Sequence, residues 1–169
     1  IGPDGRLWVT DTRAEVDFFN PDPAHAGRVW TVDTDSGATE LVLEDGPIFI
    51  NGLGFSPDGA RLLVTSTYGA QLWVYPVGPD GALGPGNVLY AFQNGWPDGL
   101  AVRPDGAAWV ALTGGHRCDL VSASGALLDS VAVGDGALPT NVCLGREPDE
   151  LYATASHHEA LLRVKGIGL

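Results

Sequence analysis

One short sequence phrase occurs twice in the chain, and this repeat restricts the fold more than any other feature. The phrase starts with a polar residue and Gly-Leu, continues through a few residues of strand character, and ends in Pro-Asp-Gly; it occupies positions 51–59 and 98–106. Related turns, Pro-Asp-Gly at 3–5 and Pro-Asp-Glu at 148–150, extend the pattern toward both ends. A period of roughly 45 residues is typical of propellers and solenoids, so we expect a repeat architecture.

Each of these turns precedes a short apolar segment that predicts a β-strand. The four predicted strands cover 7–10, 62–65, 108–111 and 151–154, and further strands are predicted at 28–33, 39–43, 71–75 and 118–121. The segments alternate with a period of two and are separated by Gly, Pro and Asp, which is typical of short antiparallel strands. A Pro-rich stretch at 20–23 lengthens the first interval and is interpreted as a loop insertion. No stretch has a sustained 3.6-residue period, so we expect almost no helix.

Four short strands per repeat make the blade of a β-propeller. The predicted fold class is therefore all-β, a partial β-propeller of about three and a half blades, and the approximate blades are 1–46, 47–93, 94–139 and 140–169. Propellers need at least about four blades to close, and the chain begins in mid-blade, so we interpret it as the C-terminal part of a larger ring. An open ring leaves blade edges unpaired, which favours self-association. A complete small β-sandwich is the alternative, and it would require no repeat.

Composition excludes several classes of partner. With 9 Lys and Arg against 21 Asp and Glu, the chain has a formal net charge of −12 and would repel nucleic acid and anionic lipid. No apolar run approaches the ~20 residues of a membrane-spanning helix, so no membrane partner is expected. The first residues lack a Met, a basic region and the apolar segment of a signal peptide, and they are interpreted as the interior of a longer protein.

The cysteines and histidines form no recognisable metal motif. Cys118 and Cys143 make no Cys-x-x-Cys pair and lie in apolar strand-like segments, so we predict buried free thiols. Free thiols favour a reducing compartment, and the predicted location is the cytoplasm. His157 and His158 are adjacent and would face opposite sides of a strand, and the other two histidines stand alone. The histidines are therefore predicted to be surface or loop residues.

Two polar residues at equivalent positions of the repeat, Asn51 and Asp98, are the candidate metal ligands. Each directly precedes the predicted innermost strand of its blade, and innermost strands line the central channel of a propeller. We therefore expect both side chains to lie side by side at one mouth of the channel. A carboxylate beside an amide oxygen is a ligand set for a hard cation such as Ca²⁺ or Mg²⁺. Two ligands are too few for a tight site, so water or protein outside this chain must supply others.

Asn-Gly and Asp-Gly are also common turn pairs, so a purely structural role for Asn51 and Asp98 is the alternative. Their matched placement in consecutive repeats favours the site. A third such position holds Asn141, which is a candidate pocket-lining residue or a turn residue. The Pro-Asp-Gly turns are predicted to lie at the opposite end of the strands and need no role beyond the turn. The chain contains no Gly-x-Ser-x-Gly motif, so no serine nucleophile is predicted.

Several segments together resemble a known family, the senescence marker protein, gluconolactonase and luciferin-regenerating enzyme group, also called regucalcin-like six-bladed propellers. The matching segments lie at 3–11, 51–59, 97–102, 107–111 and 139–143, in the family's order and spacing. The resemblance covers essentially the whole chain. It implies that the chain is the C-terminal part of a six-bladed enzyme.

The resemblance also implies one divalent cation at the mouth of the channel, with Asn51 and Asp98 at two of the family's three ligand positions. The family's metal-binding Glu and a substrate-contacting Asn have no counterpart in this chain. Glu15 lies near a family position that approaches the substrate, and Asn141 is the second candidate for substrate binding. Ca²⁺ is the expected cation, with Zn²⁺, Mg²⁺ or Mn²⁺ as alternatives.

The predicted function is that of a metal-dependent hydrolase of the gluconolactonase type, with a small-molecule lactone, of a sugar or a related compound, as its partner. In this hypothesis the cation polarises the lactone carbonyl, a bound water attacks it, and Asp98 accepts the proton of the water. The alternative is a non-catalytic propeller fragment that binds a divalent cation or a protein partner, because a propeller fold does not by itself define a function.

Overall fold

The computed structural model describes residues 1–13, 22 and 24–167. These described residues form fourteen strands in four antiparallel sheets and contain no helix. The strands are short because Gly, Pro and Asp interrupt the chain at every turn. The predicted all-β architecture is confirmed.

Each sheet is a meander in which the strands follow one another in chain order. The first sheet contains β1 (Leu7–Asp11), β2 (Ala26–Val32) and β3 (Thr39–Ile48). The second contains β4 (Ile50–Phe55), β5 (Arg61–Ser66), β6 (Gln71–Pro76) and β7 (Asn87–Ala91). The third contains β8 (Trp96–Val102), β9 (Ala108–Thr113), β10 (Arg117–Val121) and β11 (Leu127–Ala132). The fourth contains β12 (Pro139–Leu144), β13 (Glu150–Ala155) and β14 (Ala160–Lys165).

The Pro-Asp-Gly turns determine where β5 and β9 begin. Asp58 accepts a hydrogen bond from the backbone N–H two residues further on at 3.1 Å, and Asp105 does the same at 3.0 Å. The glycines that follow, Gly59 and Gly106, have φ angles of 69° and 85°. An aspartate closes such a turn, and a glycine takes the left-handed conformation without strain. Local chemistry therefore accounts for these turns.

Apolar clusters between neighbouring sheets form the core. Leu62 and Val64, on one face of β5, belong to a cluster that includes Trp8 of the first sheet. Leu63, on the other face, belongs to the cluster shared with the third sheet. Because both faces of this blade are covered, consecutive residues of β5 are buried. The cluster between the third and fourth sheets is built around the fully buried Trp109.

The prediction of buried thiols is correct for one cysteine only. Cys118 is buried in β10, where burial raises the pKa of its thiol to about 12. Cys143 is exposed, because it follows Val142 in β12 and so lies on the face opposite the one that packs on the third sheet. His157 and His158 lie in the turn between β13 and β14, outside any strand.

Within residues 1–13, 22 and 24–167, no helix has the length and apolar character needed to cross a bilayer.

Candidate metal-binding and catalytic site

The candidate residues Asn51, Asp98 and Asn141 lie inside the innermost strands, not before them as predicted. The strands β4, β8 and β12 contact one another in series, and each carries one of these residues beside a β-bulge. The register shifts fall between Ile50 and Leu53, between Pro97 and Leu100, and between Pro139 and Asn141. Pairing resumes on the N-terminal side of each bulge, which is why the strands start earlier than expected. A β-bulge re-aims side chains and is common beside functional sites.

Gly52 and Gly99, which follow Asn51 and Asp98, allow the inner strands to approach closely. A Cβ atom at Gly52 would stand 2.5 Å from the Asp98 carbonyl oxygen, and one at Gly99 would stand 2.8 Å from the Asn141 Cα. Neither glycine has a positive φ, so neither pair is a turn that needs the left-handed conformation. Both positions need glycine because the neighbouring strand leaves no room for a Cβ atom. Their close packing brings the three polar residues to one end of the inner strands.

A threonine of the same blade holds the Asn51 side chain. The Asn51 Nδ2 donates to the Thr67 hydroxyl at 3.2 Å, and this hydroxyl donates to the Pro97 carbonyl of the next blade at 2.9 Å. The Asn51 amide also lies beside the Asp98 carboxylate and acts to lower the pKa of that carboxyl. On the backbone, the Asn51 carbonyl accepts from the Thr10 hydroxyl at 2.7 Å. Because the Asn51 Nδ2 donates to Thr67, the amide oxygen is the atom that remains to accept from or bind a ligand.

The Asp98 carboxyl is half-buried beside Thr113, whose hydroxyl lies 3.4 Å from its Oδ2. That hydroxyl lies only 2.6 Å from the Pro139 carbonyl and has a single proton, so the contact with Asp98 is the weaker of the two. Burial raises the pKa of the Asp98 carboxyl to about 6. Hydrogen bonds from Thr113, Asn51 and the Gly99 backbone N–H oppose this rise without cancelling it.

These surroundings fit a divalent cation. Among the described residues, Asp98 has no ion pair with a Lys or Arg side chain. A half-buried carboxylate without a counter-charge is costly, and a bound cation would relieve that cost. Carboxylate and amide oxygens suit a hard ion such as Ca²⁺. Across the part of the chain that the structure describes, no three His, Cys, Asp or Glu residues are grouped to hold a metal, so Asn51 and Asp98 would supply only part of the coordination.

Asn141 reaches the same region from the fourth sheet. Its side chain lies against Gly99, next to Asp98, and its Oδ1 accepts a hydrogen bond from the Val142 backbone N–H at 2.9 Å. The residue is exposed, so its amide N–H groups face solvent and could meet a ligand. Glu15, the other predicted substrate-contacting residue, lies outside the described residues.

Thr67 and Thr113 are site residues that inspection of the sequence missed. They stand at equivalent places, at the end of β5 and β9. Each hydroxyl contacts the polar side chain of its own blade and donates to a proline carbonyl of the next blade. An alignment of the two repeats that allows one extra residue between the Pro-Asp-Gly turn and β5 places Thr67, which directly follows β5, opposite Thr113.

The fold and the grouped polar side chains define a class of protein, a β-propeller whose inner strands carry polar side chains at one end. Within that class, the chain belongs to the family described as SMP-30/Gluconolactonase/LRE-like region, whose family model matches residues 1–157. The predicted family is confirmed. The chain is 31% identical over 161 residues to the 6-deoxy-6-sulfogluconolactonase of Pseudomonas putida, and this match covers 92% of the chain and 52% of the relative.

Solved structures of this family have the same fold. A luciferin-regenerating enzyme superimposes with a TM-score of 0.82 at 23% identity, over 99% of this chain and 60% of that chain. The calcium-binding protein regucalcin of Agrobacterium tumefaciens superimposes with a TM-score of 0.76 at 23% identity, over 99% of this chain and 59% of that chain. The predicted propeller fold is confirmed. The chain spans between 52% and 60% of the length of these three proteins.

Proposed function

We propose that this chain contributes the Asn51 and Asp98 side of the active site of a metal-dependent lactone hydrolase. The observation that carries the proposal is the half-buried Asp98 carboxylate, which lies beside the Asn51 amide and has no cationic side-chain partner among the described residues. Asn51 and Asp98 would hold the cation, and a bound divalent cation would supply Lewis-acid polarisation of the lactone carbonyl. Ca²⁺ is the proposed ion, since a structural relative is described as calcium-binding.

The chain's own residues would act on the attacking water and on the substrate. Asp98 would accept a proton from the attacking water as the water oxygen bonds to the lactone carbonyl carbon. The ring C–O bond then breaks, Asp98 gives the proton to the leaving ring oxygen, and a hydroxy acid is released. Bound to the cation, the Asp98 carboxylate would be held ionised at neutral pH, which is the protonation state that a proton acceptor needs. Thr67 would orient the Asn51 amide, and Asn141 would donate its amide N–H groups to substrate oxygens.

Sugar lactones are the proposed substrates. The family description and the Pseudomonas putida relative both carry the name of a gluconolactonase, and the exposed amide of Asn141 suits a hydroxyl-rich ligand. A substrate-contacting role for Glu15 rests on the family resemblance alone. The exposed free thiol of Cys143 favours a reducing compartment such as the cytoplasm.

A second candidate function is binding without turnover. The chain matches only 52% to 60% of the length of the three relatives named above, and its described residues contain no group of three or more His, Cys, Asp or Glu side chains that could hold a metal. It could therefore bind a divalent cation or a protein partner without turnover, while hydrolysis belongs to a longer protein.

Lactone hydrolysis with and without added Ca²⁺ tests the proposal, and the molar mass in solution should be measured on the same sample. We expect metal-dependent hydrolysis of glucono-1,5-lactone, and we expect Asp98→Asn to reduce turnover by about 100-fold or more because the base and a charged ligand are lost together. Asp105→Asn is the matched control, since Asp105 belongs to the same repeat but lies in the turn before β9 and should leave turnover unchanged.

Two results would count against the assignment. Hydrolysis by Asp98→Asn at the parent rate would exclude Asp98 as base and ligand. Calcium binding by a folded chain, with no hydrolysis at any protein concentration, would favour the non-catalytic alternative for this polypeptide.

A further inference from the structure

We propose that Trp96, Tyr68 and Phe92 form an aromatic subsite for the apolar C–H face of a six-membered sugar ring. This inference rests on the proposed function and concerns the part of the substrate that extends away from Asn51 and Asp98. The three rings line a cavity of about 360 Å³ at the same end of the blades as the polar site. Asn94 lines the same cavity, together with backbone of two glycine-containing loops.

Trp96 is unusual because it is a tryptophan at the start of an inner strand that is still 55% exposed. Its ring lies over the turn after β9, where a Cβ at Gly114 would stand 2.9 Å from it. The six-membered ring of the indole therefore lies against the Gly114 backbone, while more than half of the residue stays exposed. A large aromatic surface left exposed beside a polar site is a surface suited to a ligand.

The aromatic cavity and the polar site share two short segments of the chain. Tyr68 directly follows Thr67, and Trp96 is separated from Asp98 only by Pro97. The hydrogen bond from the Thr67 hydroxyl to the Pro97 carbonyl, 2.9 Å long, joins these two segments. A sugar ring bound at Asp98 would therefore lie next to the two segments that carry Tyr68 and Trp96.

Two of the three rings are held in place before any ligand binds. Tyr68 packs edge-on against Phe49, with ring centroids 4.7 Å apart and an interplanar angle of 73°. Phe92, only 4% exposed, packs edge-on against Tyr90 at 5.0 Å and 76°. Rings that are already fixed lose little conformational freedom on binding, which favours affinity.

The chemistry of the cavity matches one ligand class better than others. A pyranose-type ring has C–H faces that pack on aromatic planes and a rim of hydroxyls that need hydrogen-bond partners. The exposed Trp96 and the half-buried Tyr68 meet the first requirement, since Phe92 is too buried to offer a ring face. The exposed amide of Asn94 in the cavity and that of Asn141 at the polar site meet the second. An aromatic contact of this kind contributes a factor of up to about tenfold in affinity.

The test uses 1,5-anhydroglucitol, a six-membered sugar ring without a carbonyl, which cannot be hydrolysed. Saturation-transfer NMR on the full 169-residue chain should show transfer to the ring C–H protons. Trp96→Ala should weaken binding by up to about tenfold, and Trp96→Phe should retain most of it because an aromatic plane remains. Leu128→Ala, which removes another exposed apolar side chain on the distant β11, is the matched control and should have no effect.

Binding and hydrolysis distinguish this inference from the proposed function. Absence of transfer in the parent chain, or equal binding by the parent and Trp96→Ala, would overturn the subsite. Trp96-dependent binding without metal-dependent hydrolysis would support the subsite and count against the proposed function. Metal-dependent hydrolysis in which Trp96→Ala leaves the KM for glucono-1,5-lactone unchanged would support the proposed function and count against the subsite.

Discussion

At the scale of single residues, the candidate site depends on threonine side chains that contact Asn51 and Asp98 but would not bind the cation themselves. Asn51 and Asp98 each meet a threonine hydroxyl that also bonds to the neighbouring blade. An amide can bind a cation only through its oxygen, so the group that binds its N–H fixes which way it faces. Thr67 therefore determines which way the Asn51 amide faces.

Replacing Thr67 tests this positioning role. Thr67→Val has the same shape but no hydroxyl, and we expect Ca²⁺ affinity to fall by about 10- to 100-fold, as is usual when a residue that orients a metal ligand is lost. Calorimetric titration of the chain with Ca²⁺ measures the change. Thr67→Ser keeps the hydroxyl and should restore affinity, a recovery that a role in packing alone would not produce. Equal affinities for the valine and serine variants would exclude positioning by the hydroxyl.

At the scale of elements, the pair β13 and β14 is held by charge as well as by its backbone ladder. Glu150 is 3% exposed at the start of β13 and forms ion pairs with Arg163 and Lys165 of β14. The hydrogen bond from Arg163 is the main reason that the pKa of the Glu150 carboxyl lies below its ordinary value. The stabilisation this gives is complete above the ordinary glutamate pKa and is lost as the pH falls through the lower pKa of the folded chain.

Glu150→Gln should reveal this contribution. We expect the variant to melt at a lower temperature than the parent at pH 7, with the difference shrinking as the pH falls below about 4. Circular dichroism melting curves between pH 3 and pH 7 would measure it. Glu44→Gln, on the exposed part of β3, changes the net charge equally and should follow the parent curve. A difference that persists unchanged at acid pH would show that Glu150 acts through packing.

At the scale of the whole molecule, the described sheets are unequal in a way that bears on assembly. The second and third sheets have four strands, whereas the first and fourth have three. Compared with the complete blades, the first sheet lacks a counterpart of the inner strands β4 and β8 within the described residues, and the fourth lacks an outer strand. Unpaired strands of this kind are templates for pairing with another chain.

We predict that the chain self-associates through these edges, and that a charge on β14 weakens the association. Leu161 is 66% exposed on β14, and Leu161→Lys places a lysine on the edge strand, as natural edge strands often do. Sedimentation velocity over a concentration series would report the change. Leu128→Lys adds the same charge to the outer strand of a complete blade and is the control. A chain that stays monomeric at every concentration, or two variants that associate alike, would contradict the prediction.

Particular residues show which features could be predicted from the sequence and which required the tertiary structure. The strands after the Pro-Asp-Gly turns were predictable because Asp58 and Gly59 act within a few residues of each other. The placement of Asn51 and Asp98 at one end was predictable because the repeat equates them. Their position inside β4 and β8 was not, because a bulge depends on how the strand pairs with its neighbour. Thr67 was missed for a similar reason, since its partner Pro97 is in another blade.

The amino-acid sequence by itself determined the all-β repeat, the turns and the pairing of Asn51 with Asp98 as candidates, because period-two patterning, turn chemistry and repeat position are local properties of the chain. Only the tertiary structure decided that Gly52 and Gly99 serve close strand packing, that Asp98 is buried enough for its pKa to rise to about 6, and that Trp96 stays exposed. Each of these depends on the distance between residues of different blades. Such distances arise only when the blades pack against one another.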